Sequence, residues 1–150
     1  MVAKRTGNFM SEERIEPTPS AKGEPLSSEG LALVAARAAI DKKAEHVKVL
    51  DLSELSGFTD YFAIASGTSD KQVQAIADSV AQSMVDAGRE LLSIEGYSEG
   101  RWVLMDFGDV VCHVFLDALR EYYDLEALWA EAPRVKIPSE FYGAGATRLN

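Results

Sequence analysis

Apolar positions recur along this chain with two different periods, and the switches between them lay out its elements. Leu31, Val34, Ala35 and Ala38 return at helical spacing, followed by Asp41, Lys42 and Lys43. This predicts a first helix from Glu29, entered through Ser27 or Ser28. Residues 47–52 alternate and are β-rich, Ser56-Gly57 breaks them, and residues 60–66 (DYFAIAS) form a short apolar run of central-strand character. Ser69 with Gln72 three residues later fits a capping box. Behind it Val73, Ile76, Ala77, Val80 and Met84 make one helical stripe, which Gly88 stops. Residues 91–94 predict a brief strand, Gly96 and Gly100 a loop, and residues 102–105 and 110–115 two more strands. Gly108-Asp109 joins these last two as a tight hairpin, since glycine accepts positive φ at the first turn position. A last helix over residues 117–130 is expected to bury Leu119, Tyr122 or Tyr123, Leu125 and Leu128, with Pro133 and Pro138 ending regular structure.

That order predicts an α/β or α+β fold: a single domain with a mixed sheet of about five strands flanked by helices. The path from residues 61–66 through the second helix to Leu91 fits a crossover between parallel strands. The chain has 150 residues, enough for one domain with a sizeable core. Residues 1–28, with Pro17, Pro19 and Pro25 and no apolar period, read as a disordered leader. Residues 139–150 read as a flexible tail, leaving 29–138 as the folded domain.

Charge changes the picture. The formal net charge is −9, and it is unevenly placed. In the leader Lys4, Arg5, Arg14 and Lys22 offset Glu12, Glu13, Glu16 and Glu24, so the excess belongs to the folded part. An acidic domain is a poor ligand for a phosphate backbone, so direct nucleic-acid specificity is not expected. It suits a basic protein partner, although charge that serves only solubility explains the same number. No apolar run approaches a membrane span, and the N-terminus lacks a signal-peptide core, so a cytoplasmic location is the expectation. The single Cys112 agrees with a reducing compartment.

Candidate chemistry is sparse. Gly67-Thr68-Ser69 follows a strand and opens a helix, a place where amides hold anions, yet its pattern matches neither the P-loop nor the dinucleotide fingerprint. Asp106 and Asp109 are two carboxylates near one turn. They either bind Mg²⁺ or, as a solvated Asp109 would, shape the turn. Cys112 and His113 are adjacent on a strand and point to opposite faces, so they cannot form a nucleophile–base pair. Cys112 shares the core face of Val110 and Val114, and His113 that of Val111 and Phe115. His46 is expected at a helix end, and no Cys/His ligand spacing for a metal is present. Trp102, Tyr122, Tyr123 and Trp129 are core by default, but Trp102 and Tyr123 sit among charges, as anchors of a docking surface do.

Three ordered segments carry a family likeness: DLSELSGFTDYFAIASGTSDKQVQAIAD (51–78), EGYSEGRWVLMDFGDVVCHVF (95–115) and REYYDLEALW (120–129). Together they resemble the ribosomal silencing factor, or Iojap-like, family across residues 29–138. The resemblance implies a nucleotidyltransferase-like fold without known catalysis and without cofactor. It implies binding to the large ribosomal subunit through ribosomal protein fourteen, which blocks joining of the small subunit and lowers translation when nutrients are scarce. It also implies a homodimer when free. Carried over, the docking residues are Trp102, Asp106, Asp109, His113 and Tyr123. The alternative is a divergent nucleotidyltransferase that uses the Gly67-Thr68-Ser69 turn with Mg²⁺ on Asp106 or Asp109.

Overall fold

The computed structural model describes residues 26–55, 57 and 59–143. Most of the expected leader, Ser56 and the end of the expected tail therefore lie outside the described residues. Helix α1 (Ser28–Asp41) begins where Ser27 caps it, the Ser27 hydroxyl accepting from the Gly30 N–H at 3.0 Å. Five strands follow: β1 (Glu45–Asp51), β2 (Tyr61–Gly67), β3 (Ser93–Glu95), β4 (Trp102–Asp106) and β5 (Val110–Leu116). Helix α2 (Asp70–Asp86) separates β2 from β3.

The strands form one mixed sheet in the order β1-β2-β5-β4-β3. Only β2 and β5 pair in parallel, while β1–β2, β4–β5 and β3–β4 are antiparallel. The expected crossover needs correcting in one respect. The strand after α2 runs the same way as β2 but sits at the far edge, and β5 takes the place beside β2. Burial explains the order. All of β5 but Leu116 is buried, which suits a central strand, whereas β3 is exposed along its length and suits an edge.

Helix α2 is built as its stripe predicts, with Val73, Ile76, Ala77, Val80 and Met84 buried. Ser69 accepts from the Gln72 N–H at 3.1 Å, and Gln72 Oε1 accepts from the Thr68 N–H at 2.7 Å, one residue before the cap. Gln72 Nε2 then donates to the carbonyls of Lys42 and Lys43, closing the end of α1.

Register divides the sheet into two faces. Val49, Ala63, Ala65, Val103, Met105, Val110, Cys112 and Val114 pack under α1 and α2. The second face carries Leu50, Phe62, Ile64, Val111, His113 and Phe115, with Trp102, Leu104 and Asp106 on β4 and Ser93 and Glu95 on β3. Among the described residues, short C-terminal pieces alone cover it.

The expected single helix over 117–130 is broken. Helix α3 (Asp117–Tyr123) and α4 (Leu125–Leu128) meet at Asp124, which has φ 47°. Leu125 is buried, but Leu128 is 75% exposed and neither tyrosine is buried, Tyr122 at 79% and Tyr123 at 46%, against expectation. The residue buried in their place is Arg120. Its Nη1 donates to Ser66 Oγ at 2.8 Å and its Nη2 to Glu126 Oε2 at 2.7 Å. Residues six apart on an unbroken helix stand about 120° apart around its axis. The break at Asp124 lets Glu126 fold back onto Arg120. Ser139–Tyr142, expected to be loose, is a single 3-10 turn held by Phe141 under the Arg37 guanidinium at 5.2 Å.

Candidate docking face

The residues of the second sheet face rise from core to solvent as a staircase of rings. Phe115 at the bottom is fully buried. Trp102 on the neighbouring strand stacks on it with centroids 5.0 Å apart and planes 27° apart. Tyr123 of α3 lies against Trp102 at 4.8 Å, and Tyr122 meets Tyr123 edge-on at 5.0 Å. Burial falls along the series: Trp102 is half-buried and Tyr123 is exposed. Local sequence produces each step. Alternation on β4 turns Trp102 and Leu104 to this face while Val103 and Met105 enter the helix-side core. The break at Asp124 ends α3 at Tyr123, at the margin of the sheet.

Gly96 fixes where β4 starts. It has φ 81°, and a Cβ there would stand 2.1 Å from the Trp102 carbonyl oxygen, so only glycine permits this approach. At the other end Gly108 has φ 95° while Asp109 has no positive φ, the pattern of a II′ hairpin as the sequence predicts.

Trp102 Nε1 is 3.1 Å from His113 Nδ1. An indole nitrogen only donates, so Nδ1 is the acceptor. His113 is 4% exposed in the middle of β5, and burial lowers its pKa to about 4. It was expected among the docking contacts. In this structure it lies beneath the sheet surface and reaches it through Trp102. Cys112 points to the opposite, core face as expected, and burial pushes its thiol up to about 12.

The two aspartates differ. Asp106 is half-buried on the second sheet face, where Glu95 also lies, and its Oδ1 accepts from the Gly108 N–H at 2.8 Å. Asp109 is engaged within the fold. Its Oδ2 accepts from Ser28 Oγ at 2.6 Å and from Arg89 Nη2 at 3.0 Å. Its carbonyl accepts from the amides of Asp60 and Tyr61. Asp109 thus ties α1, β2 and the segment after α2 to the hairpin. Sequence reasoning missed this because its partners are remote in the chain.

The metal-dependent alternative fails on geometry. Asp109 lies beside the start of β2 and Gly67 at its end. Six strand residues separate them by about 20 Å, so turn and carboxylates are not one site. The amide of Thr68 is also taken by Gln72. His46 is not at a helix end as expected. It lies in β1 at an irregular register with φ 53°, its Nδ1 3.3 Å from Asp117 Oδ1. No helix among the described residues is long and apolar enough to cross a membrane.

Known proteins share this sequence and architecture. Ribosomal silencing factor RsfS of Halalkalibacterium halodurans is 46% identical over 112 residues, covering 75% of this chain and 96% of that protein. A crystal structure of a protein from Chromobacterium violaceum superposes with TM-score 0.68 at 37% identity, covering 82% of this chain and 98% of that one. More distantly, mouse mitochondrial assembly of ribosomal large subunit protein 1 is 32% identical over 91 residues, covering 59% of this chain and 40% of that protein. The family described as ribosomal silencing factor during starvation matches residues 25–148. The chain belongs to that ribosomal silencing factor family, a group of ribosome-associated regulators of translation.

Proposed function

We propose that this protein silences ribosomes by docking the second sheet face on the large subunit, through ribosomal protein fourteen, where the small subunit must join. The carrying observation is the ring series Phe115–Trp102–Tyr123–Tyr122, which brings aromatic area to the surface on a half-covered sheet. Aromatic anchors seated on a firm base are the commonest source of interface energy. Trp102 and Tyr123 serve as the anchors. Asp106, with Glu95 on the same face, supplies an acidic rim for lysines or arginines of a basic protein. The net charge of −9 steers the domain toward such a protein and away from bare RNA. His113 and Asp109 act behind the face.

Occlusion requires no chemistry, only a folded body in the path of the small subunit. The test is co-sedimentation of the purified protein with isolated large subunits. Trp102→Ala combined with Tyr123→Ala is expected to leave the fold intact and reduce binding at least tenfold, the size of one aromatic hot spot. Binding equal to that of the unaltered protein would remove this face as the docking surface.

A further inference from the structure

We infer that His113 is a positioning residue for the docking face: from beneath the sheet surface it accepts the Trp102 indole hydrogen and fixes the plane in which that ring meets a partner. The inference rests on the docking role of Trp102 proposed above.

The first support is the oddity of a histidine at this position. His113 sits in the run VVCHVFL, buried throughout except at its last residue. Its cross-strand neighbours are Ile64 on β2 and Leu104 on β4, both apolar. An aliphatic side chain would fill the place without desolvating two ring nitrogens. With Nδ1 accepting from the indole, the ring hydrogen belongs on Nε2. Nε2 is buried and has no hydrogen-bond partner among the described residues. The histidine thus carries the cost of a buried unmatched donor while its other nitrogen makes a single bond, to Trp102.

The second support is geometry. The imidazole is gripped by rings: Phe62 stands edge-on at 4.5 Å, and Phe115 lies nearly coplanar in orientation, 12° away, at 6.3 Å. A ring so held makes a fixed acceptor. Phe115 beneath and His113 at the indole nitrogen define the Trp102 plane from two sides, leaving Tyr123 against it at 4.8 Å. An indole fixed before binding loses less rotational freedom on docking. The groups facing the imidazole include Phe62 and Ile64 from β2, Trp102 and Leu104 from β4, and Phe115 on its own strand. Burial keeps the ring neutral at physiological pH, with its Nδ1 lone pair available.

The test uses two substitutions. His113→Asn places an amide oxygen where Nδ1 stands, and His113→Leu removes the acceptor. In nitrogen-labelled protein, hydrogen exchange of the Trp102 indole proton is followed by NMR, and large-subunit binding is measured by co-sedimentation beside Trp102→Ala. His113→Leu is expected to speed indole exchange and weaken binding, each about tenfold, the factor one hydrogen bond carries. His113→Asn is expected to restore both to within about threefold. Unchanged indole exchange in His113→Leu overturns the inference whatever the ribosome binding shows. Normal binding by His113→Leu alongside lost binding by Trp102→Ala overturns it and leaves the docking face standing. Normal binding by Trp102→Ala instead sinks the docking reading. Should His113→Leu fail to fold, the unaltered protein decides: imidazole nitrogen shifts showing Nδ1 protonated contradict the inference, and Nδ1 bare with Nε2 protonated supports it.

Discussion

Arg89 Nη2 stands 3.0 Å from Asp109 Oδ2, linking the segment after α2 to the β4–β5 turn across the edge of the domain. Ser28 donates to the same oxygen from the first turn of α1. The carboxylate is partly exposed, so solvent weakens the pair. Asp109→Ala should lower stability by about 1–2 kcal/mol, read as a lower urea midpoint. Large-subunit binding should stay at the level of the unaltered protein, because the side chain is already engaged. Lost binding with an unchanged midpoint would return Asp109 to the docking surface.

Gly96→Ala should damage docking from outside the face. Its φ of 81° and the close Trp102 carbonyl leave no room for a methyl group, so the β3–β4 loop must shift. The conformational strain alone costs about 1–3 kcal/mol. Because the displaced carbonyl belongs to Trp102, the fluorescence spectrum should change and ribosome binding should fall together. A variant with the melting temperature and binding of the unaltered protein would show that Gly96 does not set the start of β4.

Arg120 and Glu126 hold the broken C-terminal helix to the sheet. Burial raises the Glu126 carboxyl pKa, but the hydrogen bond and charge of Arg120, with help from Lys48, outweigh it and leave the pKa lowered. Arg120→Met leaves Glu126 with Lys48 alone at 3.4 Å and removes the bond to Ser66. The expected loss is about 2–4 kcal/mol, below the figure for a wholly buried pair because Glu126 is partly exposed. Chemical denaturation measures it. The double change Arg120→Met with Glu126→Gln should recover part of the loss, and failure to do so would locate the cost in packing.

Acid should destabilise the protein in two stages. The folded pKa of His113, about 4, lies below its ordinary 6.5, so the fold favours the neutral ring. The unfolded chain takes up the proton first. Stability from this group is therefore full above about pH 6.5 and falls between 6.5 and 4, by an amount on the order of 3 kcal/mol. Glu126, with its folded pKa below the ordinary 4.5, contributes stability that is lost as pH falls further. His113→Leu should abolish the first stage and keep the second. Equal pH profiles between pH 7 and 5 for the two proteins would contradict the assignment.

The parts legible in sequence were those set by local pattern. The stripe from Val73 to Met84, the alternation of β4 and the Gly108 turn each depend on neighbours a few residues apart, and each is present as read. Opposite facing of Cys112 and His113 followed from strand period alone. What sequence did not reveal depends on distant partners. The place of β5 beside β2 is decided by which strand is buried on both faces. The break at Asp124 is stabilised by an ion pair that closes only in three dimensions. Asp109 read as a solvated turn residue or a free charge, since Ser28 and Arg89 are remote in the chain. His113 was a docking residue through the family resemblance alone, and nothing local shows how deeply its face is covered.

Sucrose-gradient sedimentation of mixed ribosomal subunits, with and without this protein, tests docking and occlusion together. With the unaltered protein in excess, the large and small subunits should sediment separately, with the protein in the large-subunit fraction. Trp102→Ala with Tyr123→Ala should restore joined ribosomes. Joined ribosomes in undiminished amount beside the unaltered protein, or protein in the small-subunit fraction, would contradict the proposed mode of silencing.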